Sequence, residues 1–335
     1  MPASTRLEAP RFADVLEARR RLRAHLDPTP LRRYPGLSAL VGADVWVKHE
    51  NFQPTGAFKV RGGINLVSQL DDDERRRGVI AASTGNHGQS IAHAARLFGV
   101  RAIVCVPLGA NRVKVAAIEE LGAEVVAHGA DFDEARAHCE ELARRHGYRY
   151  VHSGNEPLLI AGVGTYALEA LEASPGLDVV IVPVGGGSGA AGTCIVAHAV
   201  DPAIEVIGVQ SAQAPAAHLS WREGRLLTDS SATFAEGLAT RTAFDLPQRI
   251  LRERLGDFVL VTDDRIREAV ALMIEHTRTL VEPAGAAPLA AALELRDRLR
   301  GRRVALVCSG GNITPEQLRD VLGRARPAAP PGTAG

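Results

Sequence analysis

Val179-Val-Ile-Val-Pro-Val184 runs without a break into Gly185-Gly-Gly-Ser-Gly-Ala-Ala-Gly192 and on into Thr193-Cys-Ile-Val-Ala-His198. An apolar β-branched run, a glycine loop and a helix-compatible segment are the strand, turn and crossover helix of a parallel sheet. The loop also has the makings of a phosphate cradle. Glycines let the backbone approach an anion, and the N–H groups and dipole of the following helix stabilise it. Gly187, Gly189 and Gly192 satisfy G-x-G-x-x-G, but a dinucleotide would also need an acidic residue about 20 positions on, at the end of the next strand. Gln210 stands there. A phosphate without a ribose fits better; a tight turn that binds nothing is the plainer alternative.

The same alternation extends in both directions. Strands are expected at 44–48, 78–82, 101–106, 123–127, 179–184, 204–210, 258–262 and 303–308. Helical segments are expected at 58–70, 86–98, 112–121, 132–146, 264–277 and 288–299, where apolar residues recur at helical spacing. Several strands are apolar throughout, as a sheet covered on both faces requires. The fold class is therefore α/β, with two domains of open, mostly parallel twisted sheets flanked by helices. Residues 78–151 read as a four-stranded unit of their own, so 70–154 is expected as a small domain, with 1–69 and 155–323 as the large one. The Pro/Ala/Gly-rich stretch 324–335 is expected to be a disordered tail.

Lys+Arg and Asp+Glu both number 39, so the net charge is zero and nothing draws the chain as a whole to nucleic acid or an anionic membrane. The N-terminus has no signal-peptide run and no later stretch is long and apolar enough to span a bilayer, so a cytoplasmic location is expected. Cys105, Cys139, Cys194 and Cys308 stand far apart without C-x-x-C pairing and read as buried reduced thiols; no metal site is expected.

Lys48, Lys59 and Lys114 are the only lysines. Lys59 lies between Phe58 and Val60, near Gly56, Gly62 and Gly63, at the entrance to a helix. Desolvation there would lower its pKa and free the amine for Schiff-base chemistry. The local sequence equally allows a packed stem with the ammonium reaching water. At Ser83-Thr-Gly-Asn-His-Gly-Gln89 another strand gives way to a helix whose first N–H groups suit a carboxylate; the simpler reading is an N-cap by Ser83 or Asn86. His87 taken alone reads as a helix-start histidine without catalytic duty. Ser309-Gly-Gly-Asn312 makes a third loop at a strand's carboxyl end, where ligands of open parallel sheets gather.

In this order, Thr55-Gly-Ala-Phe-Lys-Val-Arg-Gly62, Ser83-Thr-Gly-Asn-His87, Gly185-Gly-Gly-Ser-Gly189 and Ser309-Gly-Gly-Asn312 resemble the fold-type II pyridoxal-phosphate (PLP) enzymes, in the threonine/serine dehydratase (threonine ammonia-lyase) and serine racemase branch. The resemblance covers residues 28–322. It makes the large domain the PLP-binding one, with Lys59 carrying the cofactor as a Schiff base and then removing the α-proton. It implies Phe58 beside the ring, Asn86 on the phenolic oxygen, Gly185, Gly186, Gly187, Ser188 and Gly189 around the phosphate, and Ser309 facing the pyridine nitrogen. Ser83, Thr84, Gly85, Asn86 and His87 would surround the substrate carboxylate. The implied reaction eliminates the β-hydroxyl of threonine, serine or a related β-hydroxy amino acid, giving a 2-oxo acid and ammonia, in a homodimer or homotetramer.

Departures from the family pattern bear on the details. Racemases of the family carry a second serine where this chain has Thr84, whose hydroxyl can still donate while its methyl crowds the site. The family's divalent cation site uses an acidic residue where Gln210 stands, and Glu236 alone would be a poor substitute. The chain is too short for the regulatory domain of biosynthetic threonine dehydratases, so isoleucine inhibition is not expected. The substrate side-chain pocket is expected from 156–158 and 234–238. A racemase, a hydroxyaspartate or phenylserine dehydratase and, from another class, a nucleotide-binding dehydrogenase remain alternatives.

Overall fold

The computed structural model describes residues 7–324. Its strands are β1 (Leu31–Arg33), β2 (Asp44–His49), β3 (Val79–Ala82), β4 (Ala102–Val106), β5 (Glu124–Ala127), β6 (Arg149–Tyr150), β7 (Val179–Pro183), β8 (Glu205–Ser211), β9 (Asp257–Val261) and β10 (Arg303–Cys308). They form a six-stranded sheet in the order β1-β2-β10-β7-β8-β9 and a four-stranded sheet in the order β5-β4-β3-β6. Every pairing is parallel except β1 with β2.

Alternate residues of the long strands feed different cores. In the large sheet Val179 and Ile181 join Val45, Val47 and Leu306 on one face, while Val180 and Val182 join Ala305 and Val307 on the other. In the small sheet Val79 and Ala81 face one cluster, and Ile80 and Ala82 face another that holds Cys105 and Cys139. Burial on both faces explains why these strands read as continuous apolar runs. All four cysteines are free and buried.

The eight expected strands are present within a residue or two, and the expected four-stranded unit ends in the two-residue β6. β1 was not expected: Leu-Arg-Arg has no apolar pattern, and it is a strand because Leu31, Arg32 and Arg33 pair with Lys48, Val47 and Trp46 at the sheet edge. The helix expected at 288–299 begins at Pro283 and is followed by a separate turn of helix, Arg296–Leu299. Pro283 is the better start because a first-turn proline has no N–H to satisfy, and Pro288 lies inside the helix. Arg324 ends the last helix, Pro315–Arg324, and is not part of a tail; 325–335 lie outside the described residues. Among the described residues no helix is long and apolar enough to cross a membrane.

Candidate active site

β2, β3, β7 and β10 all deliver their following loops to one cavity of about 450 Å³, at the carboxyl ends of their strands. Phe58, Lys59, Ser83, Thr84, Gly85, Asn86, His87, Gly185, Gly186, Gly187, Ser188, Gly189 and Ser309 all line it. Every site residue expected from the sequence is thus brought together in one place.

Lys59 opens the helix Lys59–Val67. The turn before it is pinned to the β10 loop by a bridge between Ala57 and Gly310 and by Phe58 N–H donating to the Ser309 carbonyl at 3.0 Å. Gly56 there has φ +67, a conformation that favours glycine. The Lys59 amine donates to the Ser153 carbonyl at 2.9 Å and to Ser188 Oγ at 2.8 Å, both neutral acceptors. Burial, with no carboxylate partner among the described residues, lowers its pKa to about 8. The other lysines are committed: Lys48 is buried against Glu169 at 2.5 Å, and Lys114 is paired with Glu236. Among the described residues Lys59 alone of the three has no salt bridge.

The glycine loop has no room for side chains. A methyl on Gly185 would collide with the Gly237 carbonyl oxygen, and one on Gly187, which has φ +88, would meet Pro247 Cβ at 2.8 Å. Gly187 is the N-cap of the helix Ser188–Val200 and supplies no side-chain cap, so the first-turn N–H groups are left for a ligand. Phe58 lies over Gly189 and meets Tyr166 edge-on at 6.0 Å. A wide cavity, a bare cradle at one end and an uncharged-tending amine fit a phosphorylated pyridoxal group.

At the second loop the cap is Gly85, so neither Ser83 nor Asn86 caps the helix Asn86–Leu97. Ser83 Oγ instead accepts from Gly85 N–H at 3.2 Å. His87 Nε2 faces the Val151 carbonyl at 2.9 Å and must donate to it, which leaves Nδ1 buried and without a partner. Burial, reinforced by Lys59, pushes its pKa down to about 3. His87 is therefore a neutral ring held against Val151.

Several lining residues went unassigned in the sequence. Asn86 Nδ2 donates to Glu282 Oε1 at 2.8 Å, and Asn86 Oδ1 accepts from Asn312 at 2.8 Å. Burial raises the Glu282 pKa to about 7. A lone Glu before Pro283 carries no local signal of this. His152, held neutral by burial, accepts from Gly154 and Asn155 N–H groups at 3.0 Å and so shapes the turn that presents the Ser153 carbonyl. Phe244, Arg136, Thr240 and Arg241 complete the wall.

The expected side-chain pocket is only partly right. Glu236 and Gly237 line the cavity. Glu156, however, is buried, pairs with Arg149 at 2.5 Å and caps its helix through Leu158 N–H. Leu238 belongs to the core and Phe234 lies under the Arg267 guanidinium. Gln210 is fully buried, with Oε1 accepting from His218 N–H at 3.0 Å. Among the described residues no group of three or more His, Cys, Asp and Glu side chains is placed to hold a metal.

Residues 22–310 match the family described as pyridoxal-phosphate dependent enzyme. The L-threonine ammonia-lyase of Thermotoga maritima is 36% identical over 93% of this chain and 78% of its own length. The catabolic L-threonine dehydratase TdcB of Escherichia coli K12 is 36% identical over 92% of this chain and 95% of its own. The crystal structure of serine racemase from Dictyostelium discoideum superposes with a TM-score of 0.86 at 34% identity, covering 91% of this chain and 99% of that one. These matches exclude the dehydrogenase reading of the glycine loop, and with Lys59, the glycine loop and the Ser83–His87 loop in one cavity the chain belongs to the pyridoxal-phosphate dependent enzyme family.

Proposed function

We propose that this enzyme is a PLP-dependent ammonia-lyase that removes the β-hydroxyl of threonine, serine or a related β-hydroxy amino acid, releasing a 2-oxo acid and ammonia. The observation that carries the reading is the Lys59 amine, held near neutrality without a carboxylate partner between the glycine loop and the Ser83–His87 loop. Bound through its aldehyde to that amine, PLP would supply an electron sink for negative charge at the substrate Cα. Gly185, Gly186, Gly187, Ser188 and Gly189 would hold its phosphate, Phe58 would flank the ring, Ser309 would face the ring nitrogen and Asn86 would meet the phenolic oxygen. The N–H groups at the start of the Asn86 helix, with Ser83, Thr84 and Gly85, would seat the substrate carboxylate and aim its α-proton.

Lys59, when free of the cofactor, would take the α-proton; an amine with a pKa of about 8 is suited to that duty near neutral pH. The β-hydroxide would leave as water, the proton taken from Cα balancing it, and give an enamine. Its imine tautomer would then take up one water and release ammonia as the oxo group forms. Thr84, which lines the same cavity, would offer a hydroxyl for proton delivery to Cα, with its methyl crowding that approach.

Borohydride reduction of the purified protein followed by peptide mass mapping tests the lysine. The pyridoxyl group is expected on Lys59, and its appearance on Lys48 or Lys114, or on none, overturns the assignment. Oxo-acid release from threonine, serine and hydroxyaspartate tests the reaction separately. The same reading takes 1–69 and 155–323 as the PLP-binding domain and 70–154 as the small one, supported by the second sheet's lying wholly within Val79–Tyr150. It also takes the enzyme as a cytoplasmic homodimer or homotetramer, which light scattering would test.

A further inference from the structure

The glycine loop offers N–H groups to an anion only if its peptide planes are held, and glycine itself does not hold them. The Gly185 carbonyl and the Gly186 N–H belong to one trans peptide and point in opposite directions. A donor on the Gly185 carbonyl therefore aims the Gly186 N–H. That donor is the Thr240 hydroxyl, 3.3 Å away. A hydroxyl has one proton and can rotate it, so a second donor on its lone pair turns that proton towards the Gly185 carbonyl. Gln210 Nε2 lies 3.4 Å from Thr240 Oγ1, and the Gln210 amide is set the right way round because its Oε1 accepts from the His218 N–H at 3.0 Å. The relay runs one way, from the His218 peptide through Gln210 and Thr240 to the loop.

The segment that carries Thr240 is itself fixed. Its upstream end is tied to Asp263, which accepts from Thr233 Oγ1 at 2.6 Å and from Phe234 N–H at 3.1 Å. Gly237 packs against Gly185. The last two links of the relay are long for hydrogen bonds. An anion on the loop would polarise its peptides and make the Gly185 carbonyl a stronger acceptor.

We propose that Gln210 is a positioning residue for the cofactor phosphate, its amide orienting the Thr240 hydroxyl and through it the Gly185–Gly186 peptide of the glycine loop. The inference rests on reading Gly185–Gly189 as the phosphate cradle. A carboxyl at position 210 can copy the amide when protonated but cannot donate once ionised, when it would draw the Thr240 proton to itself.

The test uses the full chain stripped of cofactor and titrated with PLP and, in parallel, with pyridoxal, which lacks the phosphate, following protein fluorescence. In Gln210→Glu the preference for PLP over pyridoxal is expected to match wild type at low pH and to fall roughly three- to tenfold below it as pH rises, the value of one hydrogen bond. Gln210→Met is expected to show the loss at every pH. A PLP-to-pyridoxal ratio unchanged from wild type in both variants overturns the relay, as does a fall shared equally by both ligands, which marks a merely structural role. Gly187→Ala reports on the cradle: an unchanged ratio there overturns the phosphate assignment and the relay with it. A ratio lowered in Gly187→Ala but not in either Gln210 variant overturns the relay alone.

Discussion

Burial has moved the ionisation of Lys59 and Glu282 in opposite directions. Burial disfavours charge, so the lysine pKa falls to about 8 and the glutamate pKa rises to about 7. Because the neutral amine is the nucleophile towards an aldehyde, PLP uptake by the stripped protein is expected to accelerate as pH rises through about 8 and to level off above it, as stopped-flow absorbance would record. Lys59→Ala should lower kcat by at least roughly a thousandfold while leaving the circular dichroism spectrum unchanged. For Glu282 the folded chain holds its proton more tightly than the unfolded one. Its contribution is therefore fully favourable below the ordinary value of 4.5 and is lost as pH rises through about 7. Glu282→Gln keeps the acceptor for Asn86 and removes that loss. Its unfolding free energy should equal wild type near pH 5 and exceed it by about 1–3 kcal/mol near pH 8 in urea titrations.

Within the helix Lys59–Val67, the residue that matters most after Lys59 is two positions on. Arg61 is 1% exposed and bonds Glu50 through Nε at 2.7 Å and Glu169 through both terminal nitrogens at 2.7 Å, while Lys48 and Thr29 complete the cluster. The cluster ties this helix to the end of β2 and to the helix Pro157–Ala173. Removing one partner leaves buried charge uncompensated, so Arg61→Ala should cost about 3–5 kcal/mol in denaturant unfolding, far more than an exposed pair would. Nothing in the local sequence announces this: an arginine in an apolar helix reads as a surface residue until Glu50 and Glu169, from distant segments, are packed on it. His87 carries the same lesson. Its place at a helix start was legible, whereas the ring's turn towards Val151 depends on where β6 ends.

Across the molecule, segments outside the two sheets meet at the cavity wall through charge. Lys114 pairs with Glu236, and Arg241 lies 3.5 Å from both Asp131 and Asp133. The exposed pairs of Arg241 are worth about 0–1 kcal/mol each. Arg241→Ala is accordingly expected to change KM by no more than about fivefold with kcat unaltered, and the difference from wild type should shrink at molar salt as screening removes the pair. A change in kcat would mean that Arg241 reaches the reacting atoms. Sequence alone determined the fold class, most strand positions and the three glycine-bearing loops, because period-two and period-3.6 apolar patterns and glycine turns are local properties of the chain. It also singled out Lys59 through the company of those loops. Only the tertiary structure decided that among the described residues Lys59 lacks an ion-pair partner while Lys48 and Lys114 have one, that Glu282 and Asn312 bracket Asn86, and that Gln210 faces the Thr240 hydroxyl. Those are relations among residues far apart in the chain, and desolvation and hydrogen-bond direction exist only once packing has removed the water between them.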